Sequence, residues 1–524
     1  MPIRKKNIVG LFVLMALMVG VKKIFEYAAP PSTPKNCDFA YPTVFDATKL
    51  TNIAIDVSEK FAWEQRGGVM NDASCLNKTS VYGVIDVRSV DDVKNALKFA
   101  RDNHISVTAG GAHHSMGGQS FSRGGLVLDM KGLRQIAVDE EAMTVHVESG
   151  ATWADVQKIL DAKGLSVKAM QSINIFTVGG TLSVNAHGIA HDPGSVASTV
   201  RQMHVMLANG EVVVASPTEN ADLFHHVLGG YGLFGVILDA DLDVVKNEMY
   251  DWETTYVDYK DFPEYFASNI DGNDTFGLAY ARLSISPSSY LTETAVHVFQ
   301  RTLFSEEMPP LVTDSHTALE RFVINFSKTG RFGKRVRWAL EKHFVPSSGT
   351  CISRNNAMSQ KEVCLVSRNQ KMFDSMGYLR NRLKDTDILQ EYFVVPSKMT
   401  EFVDGLRSIV QKNNANLLNV TIRIVPKDSV TALPYAKEDM LAFVLYFNQK
   451  LNVEESSVVE KTTIDMIDLT ASLGGTFYLP YQLYYSPEQL RTSYPEVDDF
   501  FAAKRRYDSE GVFSNAFYEK YGGE

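Results

Sequence analysis

The 524-residue sequence holds only four cysteines, with no CxxC pair and no Cys/His cluster, so a structural zinc site is not expected. Cys37 and Cys75 flank the start of the globular part, and Cys351 and Cys364 lie close together in a polar segment. An exported body would allow two local disulfides. The body also lacks a dense Lys/Arg run, and the formal net charge is −10. Nucleic-acid binders usually present a basic face, so no nucleic-acid partner is expected. The glycine-rich segment from Gly110 to Ser120 follows neither the GxGxxG nor the Walker pattern, which removes the nicotinamide-dinucleotide and P-loop readings there on spacing. At 45% hydrophobic and 22% charged residues, disorder is excluded, and the length suggests two domains. No internal repeat is found.

No apolar run reaches the ~20 residues of a usual spanning helix. The longest near the N-terminus runs 14 residues from Ile8 to Val21, between Arg4-Lys5-Lys6 and Lys22-Lys23. This length lies between a signal-peptide core and a short membrane anchor. Ile24, Phe25 and Tyr27 extend it if the two lysines snorkel. Residues 1–27 are therefore expected to be an anchor or a cleaved signal; a buried soluble helix would show polar positions at helical spacing, and there are none. The slight excess of positive charge before the run places the body outside, on the far side of the membrane, or secreted or periplasmic if the segment is cleaved. Ala28 to Pro34 reads as an extended tether.

From Val81 to Val245 strand-like and helix-like runs alternate. Asp91 to His104 carries a helical stripe of Val93, Ala96, Leu97 and Ala100. Ile136–Val138 and Thr144–Val147 read as a hairpin, as do the runs flanking Asn209-Gly210. Thr152 is placed to cap a helix that Gly164 stops, and Asn220 to cap another. Beyond Glu248, strand runs at 250–257, 275–286, 292–300, 389–395, 419–425 and 440–447 accompany helical runs at 310–338 and 400–413. This pattern suits an α+β layer over a large antiparallel sheet with flanking helices. From Ser486 the chain is helical and polar.

The first chemically informative segment is the loop Gly110, Gly111, Ala112, His113, His114, Ser115, Met116, Gly117, Gly118, Gln119, Ser120, directly after a strand. Glycines there let backbone N–H groups approach an anion. Alone, the loop would also suit an ordinary tight turn. A second small-residue turn, Thr177-Val178-Gly179-Gly180-Thr181-Leu182-Ser183-Val184-Asn185-Ala186-His187-Gly188, is expected to open a short helix whose N-terminus favours a phosphate. Two such loops about seventy residues apart point to one long pyrophosphate ligand gripped from two sides.

These loops, with the Val81–Ile85 entry strand and the Gly235-Val236-Ile237 exit, resemble the vanillyl-alcohol oxidase/p-cresol methylhydroxylase (PCMH-type) FAD-linked oxidases. Lys504–Asp508 through Phe513-Ser514-Asn515 is similar to the segment that returns to the flavin domain in sugar-acting members: the aldonolactone, alditol and decaprenylphosphoryl-ribose oxidases. The resemblance implies an FAD-binding domain of two subdomains at 45–247, a substrate-binding cap at 248–485 and a returning segment at 486–524. It implies FAD held by Gly110, Gly111, His113, His114, Ser115, Met116, Gly117, Gly118, Gln119 and Ser120 on one side. Gly179, Gly180, Ser183, Asn185, His187 and Gly188 would line the other, with Ile237 giving backbone contacts. His114 falls where many members bond histidine to the flavin; His113 is the rival, and a noncovalent histidine at phosphate the alternative. Ile173 to Gly188 contains no cysteine, so a second, thiol linkage is not expected.

Thr421-Ile422-Arg423 resembles the Glu-Ile-Arg strand of polyol and lactone oxidases, with the glutamate replaced, and Tyr481 stands where those relatives place a lysine. The resemblance implies removal of a hydride from a CH–OH donor, with a base taking the hydroxyl proton. Tyr481 is the candidate base and Arg423 the cation that would lower its pKa, unless Tyr481 only packs among its aromatic neighbours. Glu391 is a further candidate, although an exposed strand carboxylate is the plainer reading. The expected activity is thus an FAD-dependent oxidoreductase acting on a polyol, sugar lactone or lipid-linked sugar, with oxygen or a quinone as acceptor. The alternatives are a membrane-anchored C=C reductase using NAD(P)H and a flavin-binding protein without turnover.

Overall fold

The computed structural model describes residues 61–190, 194–302, 318–344, 347–358 and 385–523, with residues 308 and 311. The N-terminal anchor or signal segment, Cys37 and Cys364 lie outside them. Among the described residues no helix is long and apolar enough to cross a membrane. Cys75 is disulfide-bonded.

The fold is α+β, with three main sheets. The first has four strands in the order Trp63–Arg66, Gly83–Asp86, Leu126–Asp129, Val107–Gly110. Its last three strands are parallel. Helix Val90–Asp102 makes the crossover, and its Ser89/Asp92 capping box satisfies the first-turn donors. Val93, Ala96, Leu97 and Ala100, the stripe read from the sequence, are fully buried.

The second sheet is antiparallel, ordered Val212–Ala215, Val200–Met206, Val236–Lys246, Thr144–Glu148, Ile136–Asp139, with Leu165–Val167 joined to Val236–Lys246. Both expected hairpins form: Ile136 pairs with Val147, and Met206 with Val212 across the Asn209-Gly210 turn. Helix Trp153–Asp161 starts at Thr152, which caps Asp155 N–H in a capping box. Asn220 stands at the start of helix Ala221–Val227 but does not cap it. Its backbone is left-handed, and its side chain donates to the Val214 carbonyl instead.

The third sheet has eight antiparallel strands: Ser348–Ser353, Met249–Asp258, Glu293–Arg301, Phe276–Leu283, Leu417–Val425, Met440–Lys450, Asp385–Val394, Thr476–Phe477. Helices Met399–Asn413 and Val453–Ser472 pack on each other, the second also against the sheet. The helical run expected at 310–338 is broken at Gly330, giving helices Ala318–Ser327 and Arg331–Phe344. At the C-terminus, Val107 N–H donates to the Val512 carbonyl and Thr108 Oγ1 to that of Ser514. Val512 and Phe513 thereby join the core of the first sheet.

Candidate active site

A cleft opens where the three sheets meet. The four-stranded sheet contributes the loop after Gly110, the second sheet the turn at 177–187 and Ile237, and the eight-stranded sheet Leu389, Glu391, Arg423 and Val444.

Gly110, Gly111, His113, His114, Ser115, Met116, Gln119 and Ser120 line the cleft, as do Gly179, Gly180, Ser183, His187 and Ile237. Tyr481 and Arg423 reach it from the far side. Four expected residues do not line it. Gly117 is packed beneath Tyr481, where a Cβ would lie 2.2 Å from the Tyr481 carbonyl oxygen. Gly118 adopts φ +76° and donates to Asp72 Oδ2 at 3.0 Å. Asn185 spends its side chain on Asp428 and on the Ala197 N–H. Gly188 abuts the Met170 carbonyl. These four hold the loops in place.

The two glycine loops touch each other. A Cβ on Gly111 would sit 2.0 Å from Thr177 Oγ1, so only glycine permits this approach. In the first loop the N–H groups of Gly111, Ala112 and Ser115 find no acceptor among the described residues, which leaves them to a ligand. The second loop corrects the expectation that a helix N-terminus is offered to phosphate. Helix Val178–Ser183 does begin there, but Val178 and Gly179 N–H donate to the carbonyls of Ala151 and Ser149. That turn is a joint between elements, and its open contribution is its small-residue surface.

The first loop is also stitched to the substrate side. Met116 N–H donates to the Pro480 carbonyl at 2.8 Å, Gln119 Nε2 to that of Leu479 at 2.7 Å, and Gln482 Nε2 to that of Met116. Among the described residues several buried polar atoms facing the cleft have no hydrogen-bond partner: His113 Nδ1, Ser149 Oγ, Gln171 Oε1, His187 Nδ1 and Arg423 Nε, while His187 Nε2 and Glu391 Oε1 lie 2.7 Å apart without hydrogen-bond alignment. Such atoms are costly unless a ligand or water meets them. Open N–H groups, a glycine cradle and orphaned polar atoms together fit a large polar cofactor.

The two loop histidines differ. His113 has φ +52°, stacks on Phe121 with centroids 5.2 Å apart, and is pushed down to about 4 by burial. It is neutral at pH 7. His114 lies against Phe176, centroids 3.8 Å apart.

Comparison with known proteins agrees with this geometry. Residues 82–216 match the FAD binding domain family. This chain carries a PCMH-type FAD-linked oxidase domain. Decaprenylphosphoryl-beta-D-ribose oxidase of Mycolicibacterium smegmatis is 24% identical over 443 residues, 81% of this chain and 90% of that protein. Cytokinin dehydrogenase 2 of Arabidopsis thaliana is 30% identical over 230 residues, 43% of this chain and 46% of that protein. FAD-linked oxidoreductase pgmH of Aspergillus terreus is 31% identical over 175 residues, 33% of this chain and 35% of that protein. The protein is thus an FAD-binding oxidoreductase. When bound, FAD supplies the acceptor for a hydride.

On the far side of the cleft one sequence expectation is reversed. Tyr481 was read as a phenol made acidic by Arg423. Burial first, then the charge of Glu391, instead push it well above the usual phenol range, and the opposing pull of Arg423 is weaker. Arg423 donates to the His187 carbonyl at 3.2 Å and to Ser172 Oγ at 3.3 Å. Tyr481 therefore keeps its proton and acts as a donor. Glu391 is not the exposed strand carboxylate expected but is 3% exposed and lines the cleft. Sequence reasoning also missed Gln171, Ser172, Phe176 and Tyr478 as lining residues.

Proposed function

We propose that this oxidoreductase removes a hydride from a CH–OH group of a polyol, sugar lactone or lipid-linked sugar. The observation that carries this reading is the convergence in the cleft of proton-handling groups from the second glycine loop and from the elements facing it. There Tyr481 Oη, Glu391, His187 and Arg423 line one stretch of cleft. Alcohol oxidation needs a group that donates to the substrate oxygen and a group that receives its proton, and both kinds are present. The long match to an oxidase of a lipid-linked ribose, spanning 90% of that protein, supports the same class. In this reading the N–H groups of Gly111, Ala112 and Ser115 hold the cofactor's phosphates, and His114 forms a covalent bond to the flavin. Oxygen or a quinone takes the electrons afterwards.

The test is anaerobic reduction, followed at the oxidised flavin bands, with a panel of polyols, aldonolactones and polyprenyl-phosphoryl sugars. Bleaching by at least one donor is the expected result. Bleaching by NADPH alone would assign the enzyme to the C=C reductases, and none at all to the flavin binders.

We also propose an exported body behind an N-terminal membrane segment. The thin excess of positive charge before Ile8 and the disulfide at Cys75 support it. Protease added to cells with the outer barrier opened should digest the domain; protection until lysis would reverse the topology.

A further inference from the structure

Glu391 is a buried carboxyl group that no Lys or Arg contacts among the described residues. Its Oε1 lies 2.7 Å from His187 Nε2 but outside hydrogen-bond alignment, and its Oε2 lies 3.5 Å from Tyr481 Oη. The side chains of Glu391 and His187 are each 2% exposed. The titratable and charged groups around it are His187, Arg423, Tyr435, Tyr478, Tyr481 and Tyr494. Arg423, the one cation among them, is turned to the His187 carbonyl and Ser172. A second, small pocket is lined by Glu391, Tyr481, Gln482, Thr463 and Tyr485, whose hydroxyl has no partner among the described residues. Glu391 and Tyr481 line both this pocket and the cleft. A buried carboxyl group beside a histidine and a tyrosine hydroxyl at the wall of a cleft is placed for proton transfer.

We propose that Glu391 is the proton acceptor of the reaction, reached through Tyr481, with His187 positioning the carboxylate. This rests on the alcohol-oxidation reading above. The donor's hydroxyl proton passes to Tyr481 Oη while the Tyr481 proton passes to Glu391 Oε2, so the tyrosine ends as it began. The carbon's hydrogen leaves with its electron pair to oxidised FAD, and the C–O single bond becomes a carbonyl. A Tyr–Glu pair solves the problem a lone phenol cannot: the phenol is too weakly acidic to serve as base, but it relays to a carboxylate that is not.

Holoenzyme variants Glu391→Gln and Glu391→Asp test this, using the donor of the panel that reduces the wild type fastest. With Glu391→Gln, flavin reduction at saturating donor should slow by ~100- to 10,000-fold and lose its rise with pH. Glu391→Asp should keep the pH limb at an intermediate rate. Flavin content and reduction by dithionite should match the wild type in both. A readout independent of turnover is the His187 ring resonances in NMR of 15N-histidine-labelled holoenzyme, assigned with His187→Gln; Glu391→Gln, which alters the group 2.7 Å from His187 Nε2, should move them at fixed pH. A wild-type rate in Glu391→Gln, or unmoved His187 resonances, overturns the proposal while leaving alcohol oxidation standing. Failure of every CH–OH donor to bleach the wild type overturns the parent reading and this proposal together.

Discussion

Glu391 and Thr421 stand two strands apart in one row of the eight-stranded sheet, each directly opposite Val444. Residues opposed in this way project to the same face. The sequence reading noted a carboxylate missing at 421, and the fold supplies one further along the row. The 385–394 strand is inserted beside 440–450, which in turn lies beside 417–425, although it precedes both in the chain.

Gly111→Ala should abolish cofactor retention. Its Cβ would enter Thr177 Oγ1, a contact at 2.0 Å that only separation of the two loops relieves. The purified variant should be colourless, with a flavin-to-protein absorbance ratio near zero. Gly164→Ala, at a left-handed position with open space around it, is the control: it should be strained yet remain yellow.

Acid-precipitated wild-type protein should retain flavin fluorescence if His114 carries the bond. His114→Ala should release all flavin on precipitation, and His113→Ala should retain it. The opposite pattern would move the linkage to His113, and release from the wild type would show noncovalent FAD.

Tyr481 and Arg423 should behave as one unit. Stopped-flow flavin reduction at saturating donor should slow by ~100- to 10,000-fold in Tyr481→Phe. Arg423→Met should do likewise, because it unties His187 and Ser172 from the sheet. The double variant should be little worse than either single one, as groups acting together are non-additive. A fully multiplicative double variant would separate their roles.

Acid should destabilise the fold partly through His297. This ring is buried, stacked on Tyr280 at 4.5 Å and 2.8 Å from Thr254 Oγ1. Burial first, then Arg282, push it down to about 3. In the unfolded chain it titrates near ~6.5. Its contribution is therefore present above pH ~6.5 and is lost as pH falls toward 3, because only the unfolded state gains the proton. Between pH 7 and 5 this amounts to about 2 kcal/mol. Urea midpoints at those two pH values should differ less, by about that amount, in His297→Asn than in the wild type.

What the sequence made legible was local. Glycine spacing, the Thr152 cap and the Asn209-Gly210 turn act over a few positions and lie where their patterns place them, whereas Asn220 starts its helix without capping it. The helix Val453–Ser472 was not, because its Val, Ile and Thr content gives weak helical propensity. The Asn452 cap and packing on Met399–Asn413 override that preference. Glu391 was visible only as an alternating strand residue. Its burial depends on Thr476–Phe477 closing one edge of its strand and on His187 arriving from another sheet, and neither can be read from neighbouring residues. The raised pKa of Tyr481 is hidden for the same reason, since neither its burial nor the approach of Glu391 can be read from neighbouring residues.

The pairing of Val107 with residues 512–514 has a consequence for biosynthesis. A strand near the start of the chain takes its last backbone partner from a segment some four hundred residues later. At ribosomal rates of ~5–20 residues per second, the interval between the emergence of Lys246 and of Val512 is on the order of tens of seconds. Throughout it the nascent cofactor domain has an unpaired strand edge and an incomplete core. The edge closes only when residues 512–514 arrive to pair with it.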